Sequence, residues 1–117
     1  MRLATWNVNS IRARVDRVTD WLERADVDVL AMQETKCSDD QFPTMPFVAL
    51  GYDVVHCGFN QWNGVAIASR VGLDDIQVGF DFDQFRFDSF QFGGIDWSDI
   101  FGHRFHYHRK AKNISKI

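Results

Sequence analysis

The sequence predicts an α/β fold, and three observations lead to this class. A strand pattern opens the chain, an amphipathic helix follows it, and a short apolar strand comes next. Two further strand segments follow after one polar loop. The 117 residues are 45% hydrophobic and 25% charged, which is ordinary globular composition and sufficient for one small domain.

The first strand and the first helix are predicted from their hydrophobic spacing. RLATWNVN alternates, so that Leu3, Thr5 and Asn7 share one face, and its aromatic and β-branched residues suit a strand. Asn9 and Ser10 come next and are good N-cap residues. SIRARVDRVTDWLERA then carries apolar residues at helical spacing, namely Ile11, Val15, Val18, Trp21, Leu22 and Ala25.

The second strand is predicted in VDVLAMQE, a short apolar run that ends in polar residues. A strand, a helix and a strand with a crossover of this length form a βαβ unit, so the two strands should be parallel. Asn7 closes the first strand and Glu34 the second, which places both at the carboxyl edge of the sheet. In open α/β sheets that edge is where ligands bind.

The rest of the chain divides into four segments. TKCSDDQFPTMPF is predicted as a loop, and YDVVHCGF and NGVAIASR as two strands joined through FNQWNG as a hairpin. FDFDQFRFDSFQFGG repeats Phe-x-Phe-x-x three times and is predicted as an aromatic strand segment, since three copies are too few for a solenoid. HRFHYHRKAKNISKI is predicted as an irregular basic tail.

Composition argues against several classes of protein. No apolar run approaches the roughly 18 residues of a membrane-spanning helix, and MRLATWNVNS shows no signal-peptide core. Cys37 and Cys57 form neither a disulfide framework nor a zinc pattern, which favours a cytoplasmic location. Composition changes near residue 80, because 8 of the 11 Phe lie between Phe80 and Phe105.

Glu34 and Asn7 are the candidate site residues. A carboxylate at a strand end suits Mg²⁺, which takes one or two carboxylates, keeps several waters and binds phosphate oxygens. Alternatively, Glu34 faces solvent and pairs with Lys36. Asn7 can orient a water, a phosphate oxygen or the neighbouring carboxylate, or it simply turns the chain at a strand end. Asn9 can reach the same edge, although helix capping explains it as well.

Several segments together resemble a known enzyme family. TWNVNSIRAR, VLAMQETK, DDQFP, GYDVV and NGVAIASR follow one another as in the first part of exodeoxyribonuclease III and the apurinic/apyrimidinic endonucleases. These enzymes belong to the endonuclease/exonuclease/phosphatase superfamily. The resemblance covers residues 1–80, which we treat as the amino-terminal part of such a domain, whereas residues 81–117 stay an unassigned Phe-rich and basic tail.

The resemblance implies a four-layer α/β sandwich of which this chain contains only the first half, followed by an aromatic-rich tail of unknown fold. It implies Mg²⁺-dependent hydrolysis of phosphodiesters, with Mn²⁺ as an alternative ion, in duplex DNA at abasic sites and 3′ ends. Glu34 matches the metal-binding Glu, and Asn7 the Asn beside metal and phosphate; both are expected to be catalytic. Asn9 and Lys36 are candidate substrate-binding residues.

The later motifs of the family are missing from the 117 residues. They are a Tyr near the phosphate, the Asp of Gly-Asp-x-Asn and the His of Ser-Asp-His. One alternative is therefore a truncated or frame-shifted, inactive fragment of such an enzyme, with an apolar sheet face left open to water. A second is a small nucleic-acid-binding module that uses the basic aromatic residues from Arg104 to Lys116. His106 and His108 form no zinc pattern.

Overall fold

A computed structural model gives the fold as two β-sheets with helices on the outer face of the larger one. It describes residues 1–58, 61–81, 84–96 and 112–116, with the backbone alone for 79–81, 84–90, 96 and 112–116. The order of the elements is mixed α/β, as predicted.

The larger sheet contains five strands in the order β3-β4-β2-β1-β8. Strands β1 and β2 are parallel, which confirms the predicted βαβ unit, and the other neighbours are antiparallel. The strands of this sheet are β1 (Arg2–Asn7), β2 (Val29–Gln33), β3 (Asp53–Cys57), β4 (Val65–Ser69) and β8 (Lys112–Lys116).

The helix α1 (Ile11–Ala25) lies between β1 and β2 and covers one face of this sheet. Its buried residues Ile11, Val18 and Leu22 belong to the predicted apolar stripe. Ser10 is the N-cap residue, but its side chain makes no capping hydrogen bond. An N–H group of the first helical turn finds its acceptor elsewhere, because the Ile11 N–H donates to the Thr35 carbonyl over 3.1 Å.

The segment between β2 and β3 is more ordered than the predicted loop. It contains a 3-10 helix (Asp39–Gln41) and a short helix α2 (Met45–Ala49), with Pro46 in the first turn of α2. Phe47 is fully buried and stacks on Phe42 at a centroid distance of 5.8 Å. The prediction of a plain loop is therefore wrong here, and the burial of Phe47 supplies the physical reason.

The smaller sheet contains three antiparallel strands in the order β5-β6-β7. The Phe-rich segment supplies the whole of β6 and the end of β5, which confirms that it is strand rather than solenoid. The three strands are β5 (Asp74–Asp81), β6 (Gln84–Phe92) and β7 (Ile95–Asp96).

Two apolar clusters lie on opposite faces of the larger sheet. The helix side contains α1 and α2, and the other side contains the ring of Phe92 from the smaller sheet. The face that was expected to lie open is thus covered at least in part, and residues 112–116, expected to be irregular, form β8. The buried residues of this second cluster are Leu3, Val29, Ala31, Val65, Ile67 and Phe92.

Within the described ranges, the helices are too short or too polar to cross a membrane.

Candidate metal and phosphate site

The end of β1 and the residue after β2 bring the two leading candidates into contact. The Asn7 side-chain amide donates to Glu34 Oε2. Asn7 is 7% exposed, whereas the Glu34 side chain is 21% exposed and therefore reaches solvent. The βαβ spacing correctly predicts that Asn7 and Glu34 lie together at the carboxyl edge of the sheet. The Glu34 carboxylate lies at the surface there, and the hydrogen bond from Asn7 fixes its orientation.

Lys36 and Asn9 join the same group. The Lys36 ammonium lies 3.5 Å from Glu34 Oε1 and donates to Asn9 Oδ1 over 2.7 Å. Asn9 N–H in turn donates to Asn7 Oδ1 over 3.1 Å. The structure therefore gathers all four predicted residues, and it shows Asn9 bound to Lys36 rather than capping the helix.

Backbone hydrogen bonds join the two segments that carry these side chains. The carbonyl groups of residues 33, 34 and 35 accept from the loop between β1 and α1 and from the first residue of α1. Because this ladder continues past the strand ends, the spacing between Asn7 and Glu34 is fixed by the main chain. The three bonds are Val8 N to Gln33 O (3.0 Å), Ser10 N to Glu34 O (2.8 Å) and Ile11 N to Thr35 O (3.1 Å).

The β3–β4 hairpin holds the same segment from its other side. Thr35 N–H donates to Gly64 O over 3.1 Å, and Lys36 N–H donates to Asn63 O over 3.0 Å. Glu34 and Lys36 both have left-handed backbone conformations, with φ of 54° and 55°. Non-glycine residues keep such φ values only where their surroundings impose them, and these amide and carbonyl contacts do so.

A buried histidine completes the surroundings of the site. His56 in β3 bonds Asp39 Oδ1 through Nδ1 at 2.7 Å, and its Nε2 lies 2.7 Å from Thr35 Oγ1. Its ring also stacks on Phe42 at a centroid distance of 4.6 Å. Burial lowers the pKa of His56, although the Asp39 carboxylate opposes this shift.

Sequence reasoning missed His56, Asp39 and Thr35 as parts of one network. Asp39 lies in the segment predicted as a loop, and His56 lies within a predicted strand, so no sequence spacing links them. The only available signal was a histidine inside an otherwise apolar strand, which more often indicates a satisfied core residue.

The two cysteines are unsuited to nucleophilic chemistry at neutral pH. Burial raises the pKa of the Cys37 thiol, and burial together with Asp39 raises the pKa of Cys57 to about 11. Both thiols stay protonated at neutral pH, whereas the thiolate is the reactive form. The chemistry at this edge therefore falls to oxygen and amide groups.

Glu34 is suited to a hard cation that keeps most of its water. Its carboxylate is the only acidic side chain among the four gathered residues, and the described residues contain no group of three or more His, Cys, Asp or Glu able to hold a metal. An all-protein calcium or zinc cage does not fit this donor set, whereas Mg²⁺ with one carboxylate does. Asn7 Oδ1 accepts a hydrogen bond from the Asn9 N–H, which fixes the orientation of the Asn7 amide.

The tail candidates cannot be placed in the same way. The stretch from Arg104 to residue 111, with His106 and His108, lies outside the described residues. For 112–116 only the backbone is described, as strand β8 beside β1.

The sequence of the chain is similar to those of known proteins. The model of the endonuclease/exonuclease/phosphatase family matches residues 4–113. Exodeoxyribonuclease III of Haemophilus influenzae is 34% identical over 80 residues, which is 68% of this chain and 30% of that protein.

Two solved structures extend the likeness to the fold. An AP endonuclease from Archaeoglobus fulgidus is 41% identical with a TM-score of 0.72, over 82% of this chain and 38% of that one. A 3′ phosphatase from Neisseria bound to product DNA hairpin is 32% identical with a TM-score of 0.76, over 82% and 39%. The chain thus spans between 30% and 39% of these relatives. It belongs to the endonuclease/exonuclease/phosphatase family.

Proposed function

We propose that Glu34 and Asn7 form the metal-binding part of a site for hydrolysing DNA phosphodiesters. Glu34 is the ligand of one Mg²⁺ or Mn²⁺ ion, and Asn7 orients the carboxylate through its amide. Duplex DNA, at an abasic site or a 3′ end, is the proposed substrate. The observation that carries this proposal is the hydrogen bond from the Asn7 amide to Glu34 at the carboxyl edge of two parallel strands.

The charges at this edge suit a phosphate group. Lys36 is half-buried beside Glu34, and its hydrogen bond to Asn9 holds at this edge a positive charge of the kind that pairs with a phosphate oxygen. A bound divalent ion supplies Lewis-acid stabilisation of the charge that develops on the phosphate. Asn7 and Glu34 contribute fixed polar groups whose geometry does not have to reorganise during the reaction.

We further propose that this chain alone represents the first half of the four-layer sandwich and does not catalyse hydrolysis. The Gly-Asp-x-Asn and Ser-Asp-His motifs of exodeoxyribonuclease III and the AP endonucleases, which this chain resembles, are missing from its sequence. Loss of a residue that activates the attacking water typically costs about 10²–10⁴ in rate. The chain is then a metal-binding half-site rather than a complete enzyme.

Titration of the full chain with Mn²⁺, followed by the EPR signal of free Mn²⁺, tests the metal proposal. Wild type should bind one ion, and Glu34→Gln should weaken binding at least tenfold, because it removes the charge and keeps the shape. Glu23→Gln on the exposed side of α1 is the matched control and should bind like wild type. Equal affinity in wild type and Glu34→Gln would contradict the assignment.

Incubation with an abasic-site duplex and Mg²⁺ tests the second proposal. We expect no cleavage above the protein-free reaction. Turnover that disappears in Glu34→Ala would show that the chain is catalytically complete and would overturn the half-site proposal.

A further inference from the structure

Thr35 lies between the proposed metal ligand and Lys36, and it is fixed at three separate points. Its N–H donates to Gly64 O, its carbonyl accepts from Ile11 N–H, and its hydroxyl lies 2.7 Å from His56 Nε2. The side chain is fully buried. Three fixed points determine the orientation of the peptide group that joins Thr35 to Glu34.

The hydroxyl contact is the only one of the three that the Thr35 side chain makes. The other contacts of His56 make its Nε2 a hydrogen-bond acceptor for this hydroxyl. The carboxylate of Asp39 can only accept a hydrogen bond, which assigns the proton to Nδ1 of the neutral ring. Nε2 is then an acceptor, and the Thr35 hydroxyl donates to it. Asp39 Oδ1 also accepts from Gly58 N–H over 2.8 Å, so the carboxylate is itself held.

The β3–β4 hairpin packs so closely against this contact that two of its positions have no space for a side chain. A Cβ atom at Gly64 would overlap Thr35 Oγ1, and one at Gly58 would overlap the His56 ring. His56 is 5% exposed in its side chain and stacks on Phe42, so the ring has no free rotation. The His56 ring and the Thr35 hydroxyl therefore lie beneath the site, out of reach of a substrate, whereas Asp39 lies at the surface.

We propose that His56 is a positioning residue for Glu34 and acts through the Thr35 hydroxyl. Without His56, that buried hydroxyl loses its nitrogen acceptor and keeps only the weaker sulfur acceptor of Cys37, and the turn with φ of 54° at Glu34 loses one of its supports. The inference rests on the proposed function, because it takes Glu34 as the ligand of the cation.

Mn²⁺ affinity of four variants of the full chain tests the inference without reference to catalysis. His56→Phe keeps an aromatic ring on Phe42, and Thr35→Val keeps the shape of Thr35, but each removes the hydroxyl contact. Each substitution should weaken Mn²⁺ binding about fivefold. The double variant should bind Mn²⁺ as well as the single variant with the lower affinity, because both substitutions remove the same contact. Thr35→Ser restores a hydroxyl and should restore affinity.

Tyr52→Phe separates positioning from a general loss of stability. It removes the buried hydrogen bond from Tyr52 to the Val27 carbonyl, which lies just before β2 and so at the opposite end of that strand from Glu34. This variant should lower Tm while its Mn²⁺ affinity stays that of wild type.

Two results have different meanings. If Thr35→Val and His56→Phe are folded and bind Mn²⁺ like wild type, while Glu34→Gln does not, the positioning role is overturned and the metal proposal stands. If Glu34→Gln itself binds like wild type, the proposed metal site is overturned and takes the positioning role with it.

Discussion

His56 is subject to two opposing influences on its pKa. Burial disfavours the charged imidazolium and lowers the pKa below its ordinary value of 6.5, whereas the hydrogen bond and charge of Asp39 raise it. Burial is the larger of the two. Among the residues that the structure describes, Asp39 and the Cys37 thiol, 3.9 Å from Nε2, are the titratable groups in contact with the ring.

Because the pKa of His56 is lower in the folded state, the unfolded chain takes up this proton first as the pH falls. His56 therefore contributes stability above about pH 6.5 that is lost as the pH falls toward its folded pKa. We expect Tm to fall between pH 7.5 and pH 5.0 and to fall less in His56→Phe. Thermal unfolding of both proteins by circular dichroism checks this, and an equal fall in both would contradict it.

Residue-level prediction from sequence succeeded where a rule of topology applied. Parallel strands share a carboxyl edge, and that alone brought Asn7 beside Glu34. The contacts of His56 with Asp39 and Thr35 follow no such rule, because they depend on how the segment after β2 folds back over β3. The spacing of residues along the sequence does not predict such tertiary packing.

The β3–β4 hairpin is the element that closes over the site segment. Its end at Gly64 has φ of 136° and approaches Thr35 so closely that a methyl group has no space. Gly51 is a useful contrast, with φ of 89° and no atom within 4 Å of the position that a Cβ would take. A side chain at Gly51 would meet backbone strain alone, whereas one at Gly64 would meet backbone strain and a steric clash with Thr35.

Gly64→Ala should therefore destabilise the protein more than Gly51→Ala does. The overlap with Thr35 adds about 1–3 kcal/mol in the free energy of unfolding to the backbone cost of about 1–2 kcal/mol that both substitutions share. Urea denaturation of the two variants measures the difference. Equal losses in the two variants would show that the hairpin can move away from Thr35.

The two helices differ in how well the sequence predicts them, because they differ in length. The helix α1 was found from a stripe of apolar residues over four turns, whereas α2 has only five residues and offers no period to detect. Pro46 and the burial of Phe47 determine α2, and the second of these is a tertiary effect.

At the scale of the whole molecule, the smaller sheet changes the expected exposure of the larger one. The ring of Phe92 is fully buried among side chains of β1, β2 and β4, and Ile76 and Ile95 pack at the edge of the same cluster. The sequence pattern identified this Phe-rich segment as strand but contained no information on which face it would cover.

Phe92→Ala should lower the free energy of unfolding by about 3–5 kcal/mol, because it leaves a cavity between the sheets. Val78→Ala on β5 is the control; Val78 is exposed, and its loss should change stability by at most about 0.5 kcal/mol. Urea denaturation measures both, and binding of a hydrophobic dye reports exposed apolar surface. Similar stabilities of the two variants would contradict a core role for Phe92.

The position of β1 between β2 and β8 has a consequence for how the chain reaches this fold. One neighbour of β1 lies at residues 29–33, but the other comes from residues 112–116, with Arg2 opposite Lys116. A pairing over so long a stretch of sequence raises the contact order and slows folding. While the protein is being synthesised, one edge of its first strand stays unpaired until those later residues emerge, and during that interval the strand is open to association with other chains.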